Sequence, residues 1–121
     1  MPRLIKKIGG WLKPGGKLGV LYSELRFDPN VPLDVLLPQN TELGAAFAVA
    51  GLAYTTFDMT EELYNHMLLK RQTAYALETA FAEEGNSYLY DYIVRESIPE
   101  DMSLAAFRGF QSRFLYLYEK P

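Results

Sequence analysis

Cysteine is absent from the chain, which excludes disulfide frameworks, thiolate zinc sites and thiol nucleophiles. Histidine occurs once, as His66, so no multi-histidine metal site can form within these residues. A Ser-His-Asp arrangement would have to use that one side chain. Long hydrophobic runs are missing too, and none approaches the roughly 20 residues of a membrane span. Met1 to Lys13 alternates basic and apolar residues and lacks the continuous apolar stretch and cleavage site of a signal peptide. These absences predict a soluble cytoplasmic protein with no metal and no membrane partner.

What is present is enough for one compact domain over residues 1–121. Of the 121 residues, 49% are hydrophobic and 22% charged, a balance typical of globular proteins rather than disordered tails. A chain of this size buries enough surface to fold without staples. The formal net charge of -3 is unevenly spread. Residues 1–26 hold six bases against one acid, a local +5, and the remainder holds six bases against 14 acids. Such a basic segment attracts nucleic acid when aromatic residues are interleaved as stacking platforms. Here Lys6, Lys7 and Lys13 suit the solvent face and C-terminal end of a helix instead, so no nucleic-acid partner is expected.

Leu4, Ile5, Ile8, Trp11 and Leu12 recur at helical spacing. The pair Gly9-Gly10 costs such a helix roughly 1 kcal/mol per glycine, which points to close packing or a fraying last turn. Pro14 ends the helix by Lys13. In Lys13-Pro14-Gly15-Gly16-Lys17 the proline presets the first central angle of a turn and the glycine supplies positive φ at the next. Leu18 to Tyr22 is short and almost wholly apolar, the pattern of a strand buried on both faces of a parallel sheet. Residues 23–40, with Pro29, Pro32 and Pro38, read as loop.

A helix capped by Asn40 or Thr41 then runs to Ala50, with Gly51 as a left-handed cap. Residues 52–58 read as a second strand. One long helix is expected from Asp58 or Thr60 to Gly85, a further helix from Asn86 to Ile98, and a short one at residues 103–107. Residues 113–118 read as a third strand.

The run from Leu4 to Leu21, with Leu12-Lys13-Pro14-Gly15-Gly16 at its centre, resembles a helix, turn and fifth strand of class I S-adenosylmethionine-dependent methyltransferases. Glu42 to Phe57 resembles the following helix and sixth strand, and Ser112 to Pro121 the closing seventh. The resemblance implies an α/β fold, the C-terminal half of a doubly wound, Rossmann-like sheet, with about three strands and a helical insertion over residues 60–111. It implies that the last strand lies in the centre, antiparallel to the other two. It also implies S-adenosylmethionine as cofactor of a parent protein and a small-molecule methyl acceptor. The family's glycine-rich loop after the first strand and acidic end of the second have no counterpart here, so this segment is expected to bind no cofactor and to be inactive alone. The strand at Leu18 to Tyr22 would lack its usual neighbour, which predicts homo-oligomerisation through the exposed edge. A non-catalytic binding or assembly module of the same ancestry is the alternative function.

Ligands of doubly wound sheets sit outside the carboxyl ends of the strands, a position reached here at Tyr22-Ser23-Glu24. These three are candidate substrate contacts; core packing, capping and solvation are the competing roles. Tyr64 and Tyr75 join them if the insertion is a substrate lid, against the alternative that they are packing surface. His66 is a candidate general base toward an acceptor hydroxyl by residue type, but it stands beside the apolar stripe as a surface residue would. Glu61-Glu62 and Glu83-Glu84 are explained by helix ends and solvation. No catalytic residue is assigned.

Overall fold

The computed structural model describes all of residues 1–121 and is α/β: six α-helices and one three-stranded antiparallel sheet. The chain divides into two compact units, Met1–Thr60 with Arg108–Pro121, and Glu61–Phe107. No helix is long and apolar enough to cross a membrane.

In the first unit α1 spans Pro2–Trp11, with proline in its first turn, where a missing N–H costs nothing. Its two glycines serve differently. A Cβ on Gly9 would stand 2.9 Å from a methyl of Leu52, whereas Gly10 faces open space. Close packing and mere tolerance thus sit side by side. The turn forms as its residues require: Gly16 N–H donates to the Lys13 carbonyl at 2.7 Å and Gly15 has φ of 79°. The ammonium of Lys120 donates to the Leu12 carbonyl at 2.8 Å, closing the end of α1.

Strand β1 is Lys17–Leu25, β2 is Thr55–Asp58 and β3 is Gln111–Glu119. The order is β1-β3-β2, and both flanking strands run antiparallel to β3. The central position and direction of the last strand are those the resemblance implied, but the doubly wound, Rossmann-like sheet it also implied is not shown: the three strands form an antiparallel sheet. Burial of β1 also differs from the sequence expectation. From Lys17 to Tyr22 its residues alternate between exposed and half-buried, and none in the strand is fully buried. The apolar run misled because β1 is an edge strand: Leu18, Val20 and Tyr22 pack on the core while Leu21 and Leu25 lie exposed on the opposite face. Alternation of this kind belongs to an antiparallel sheet covered on one side.

Helix α2, Glu42–Ala50, packs against α1 over that inner face. Thr41 caps it by accepting from Gly44 N–H, and Gly51 closes it with φ of 72°. Between β1 and α2 run two 3-10 turns, Leu33–Leu36 and Pro38–Asn40. Ile5, Leu43, Ala46, Phe47, Tyr116 and Tyr118 form the core. A buried polar knot runs through it. Tyr116 Oη donates to the Pro38 carbonyl at 2.8 Å and lies 2.6 Å from Thr41 Oγ. Either hydroxyl of that pair can donate to the other, since Thr41 Oγ also lies 3.0 Å from the Pro38 carbonyl, and the Thr41 oxygen accepts from Gly44 N–H. Gly44 is also a close-packing glycine, since a Cβ there would collide with the Pro38 carbonyl.

The second unit is helical. Thr60–Ala76 forms α3, which starts at the edge of the first unit; α4 is Glu78–Glu83, α5 is Ser87–Arg95 and α6 is Leu104–Arg108. The single long helix expected to Gly85 is broken at Leu77, whose φ of -105° and ψ of 6° leave the helical region. No proline or glycine marks that break, so local sequence gave no sign of it.

Candidate functional site

Because β1 and β2 both oppose β3, their carboxyl ends open on the same edge of the sheet. In doubly wound parallel sheets ligands sit outside the carboxyl ends of the strands; in this antiparallel sheet the amino end of β3 shares that edge. The edge gathers Ser23 and Glu24 from β1, Asp58 from β2, and Gln111, Ser112 and Arg113 from β3. A cleft of about 220 Å³ lies there between the turn at Leu33–Leu36 and the polar groups of Asp58, Thr60, Arg108 and Ser112.

The cleft is internally wired. Asp58 takes the Arg108 guanidinium at 2.9 Å on one carboxylate oxygen and the Thr60 N–H at 2.9 Å on the other. Partial burial works against ionising Asp58, but the Thr60 hydroxyl and amide, together with Arg108, outweigh it and hold the carboxyl below its ordinary range. Such a carboxylate is a weak base and a good partner for a cation. Ser112 Oγ donates to the Leu36 carbonyl at 2.7 Å, and Thr60 Oγ accepts from Arg113 N–H at 3.1 Å. No buried side-chain polar atom is left unpaired. The arrangement can bind and orient a polar group.

Tyr22, Ser23 and Glu24 are part of β1, which continues to Leu25, and they point alternately to opposite faces. The Tyr22 ring meets Tyr116 edge-on at 6.5 Å on the core side. Burial, then the charges of Glu24 and Glu42, push its phenol upward. Ser23 lies on the other face and accepts from Arg113 Nε at 2.7 Å. Glu24 accepts from Leu25 N–H at 3.2 Å. The three do not converge on one pocket.

In the helical unit, Tyr64 Oη donates to the Met102 carbonyl at 2.6 Å, and its ring lies 5.6 Å from Phe107. Tyr75 is exposed, with its hydroxyl accepting from Arg71 at 3.0 Å. His66 is exposed at the mouth of a cavity of about 390 Å³ that sequence reading did not reveal. Asp58, Thr60 and Arg108 also escaped it. Asp58 was legible only as a helix start, and its partner stands 50 residues away.

No group of three or more metal-ligating side chains converges. The glycines build no cofactor cradle: Gly15, Gly51 and Gly85 make turns with positive φ, and Gly9 and Gly44 are filled against by neighbouring atoms. No protein-family model matches the chain, and no curated protein matches it as a sequence relative.

Proposed function

We propose that this chain is the substrate-side, C-terminal portion of a cytoplasmic S-adenosylmethionine-dependent methyltransferase acting on a small molecule. The observation that carries the reading is the strand order β1-β3-β2 with the last strand central and antiparallel. It is the order implied by the resemblance of Leu4 to Leu21 and its Lys-Pro-Gly-Gly turn. In this reading the cofactor cradle belongs to the parent protein outside these residues, and this chain contributes the polar edge around Asp58, Thr60 and Arg108. Residues 60–111 are the substrate lid, where Tyr75 is an exposed aromatic contact beside Arg71 and Tyr64 is committed to holding the helices together. The outer edge of β1, unpaired on the side away from β3, associates with a second copy when the chain is alone.

Calorimetry of the 121-residue chain with S-adenosylmethionine is expected to show no tight binding, and tight binding would contradict the placement of the cradle elsewhere. Sedimentation should show self-association that rises with concentration; a monomer at all concentrations would remove the edge-pairing part. In the full-length enzyme Tyr75→Ala should raise the acceptor KM, and unchanged acceptor kinetics would count against the lid.

A further inference from the structure

The cavity of the helical unit is built almost entirely from one face of α3. His66, Leu69, Lys70, Thr73 and Ala74 fall at helical spacing along it, with Leu77 just past its end. Phe81 of α4 and Ile93 of α5 complete its wall. At about 390 Å³ it lies within the roughly 300–1,000 Å³ of small-molecule sites. Its polar groups are few and of one kind. An ammonium and an imidazole stand one turn apart at its mouth, with the Thr73 hydroxyl a further turn on. Apolar side chains supply the rest.

Neither Lys70 nor His66 has an acidic partner. The ion pairs of the molecule are Lys17–Glu119 and Arg108–Asp58, both in the other unit. Yet residues 61–107 contain nine acids against three bases, so Lys70 is an unpaired cation in an acidic neighbourhood, beside an apolar hollow. That combination is complementary to a small molecule with an apolar body and a single anionic head. A cation would meet no carboxylate in this wall, and a neutral hydrocarbon would leave the donors unused.

We propose that this cavity binds a small amphipathic carboxylate, with its chain against Leu69, Leu77, Phe81 and Ile93 and its head on Lys70, His66 and Thr73. The site goes beyond the methyltransferase reading and does not depend on it. The long-range field of the acidic unit opposes an anion, so affinity comes from local contacts and does not fall with added salt as a steered interaction would.

Decanoate, decanol and decyltrimethylammonium serve as probes, titrated into the whole chain and followed by amide chemical shifts. Decanoate should bind saturably, with shifts centred on residues 66–77 and Ile93, and about threefold to tenfold more tightly than decanol. Lys70→Ala should erase that preference and leave decanol unaffected. Thr73→Trp, at an exposed rim position, should block both probes while leaving the helical spectrum unchanged. Equal affinity for decanoate and decanol, tighter binding of the cationic probe, or shifts centred elsewhere would each overturn the proposal.

Discussion

The two units solve the problem of burial differently. The sheet unit hides Ile5, Leu43, Phe47 and Tyr116 beneath α1 and α2 and threads a hydrogen-bonded knot through them. The helical unit leaves Leu69, Tyr75, Leu77, Tyr88 and Tyr92 exposed. Its cohesion leans on polar ties: Arg71 donates to Ser97 Oγ at 2.9 Å and to the Val94 carbonyl at 3.1 Å, and Tyr64 holds Met102. A region with little apolar surface buried opens locally at small cost. The contrast lies in what is buried and not in what is exposed, since the sheet unit also leaves Trp11, Phe27, Val49 and Phe57 in solvent: the sheet unit has the continuous core, and the helical unit is held more by polar ties.

Gly44→Ala should break the scaffold most severely. The new methyl meets the Pro38 carbonyl backbone, which has no flexible end to yield, and a loss of about 3 kcal/mol or more is expected in urea melts. Gly9→Ala meets only the flexible end of Leu52 and should cost clearly less. Equal losses would mean that the α2 contact is not the tight one.

Tyr116→Phe should cost about 1–3 kcal/mol, because the buried hydroxyl that joins the Pro38 carbonyl and Thr41 is lost. It should also flatten an alkaline slope. Burial raises the Tyr116 phenol above its ordinary 10.0, offset only in part by its bond with Thr41. The folded state therefore holds the proton more tightly than the unfolded one. The stability this adds is complete below about pH 10 and is lost as pH climbs through the folded value. The Tyr116→Phe variant should show a shallower decline above pH 10 than the parent, and an identical slope would assign the effect elsewhere.

Arg71→Ala should loosen the helical unit by about 1–2 kcal/mol. Amide exchange in α3 and α5 should quicken while β3 stays protected. Uniform acceleration across both units would contradict their separate cohesion. Smallest of all, Gly10→Ala should stabilise the protein by about 0.5–1 kcal/mol, since the position is helical and faces open space.

The sheet unit was also the more legible of the two. Its signals are local and obligatory: Pro14 and Gly15 for the turn, Thr41 and Gly51 for the ends of α2, alternating aromatics for β3. The hydrophobicity of β1 was legible, but its one-sided burial was not, because an apolar run does not say which neighbours cover it. In the helical unit the elements were visible and the break at Leu77 was not. The pairing of Asp58 with Arg108 and the hollow beside Lys70 arise from contacts that no spacing rule encodes. Tyr22, Ser23 and Glu24 illustrate the limit well. They were expected where the strand ends, yet β1 runs on to Leu25 and the pleat turns Ser23 to the face opposite its neighbours.

Intact mass and peptide mapping of the native polypeptide, recovered from its source cells, test the central claim most directly. The methyltransferase reading predicts a chain much heavier than 13.8 kDa, with a glycine-rich loop between a strand and a helix ahead of Leu4. A native polypeptide of 13.8 kDa that begins at Met1 would contradict it.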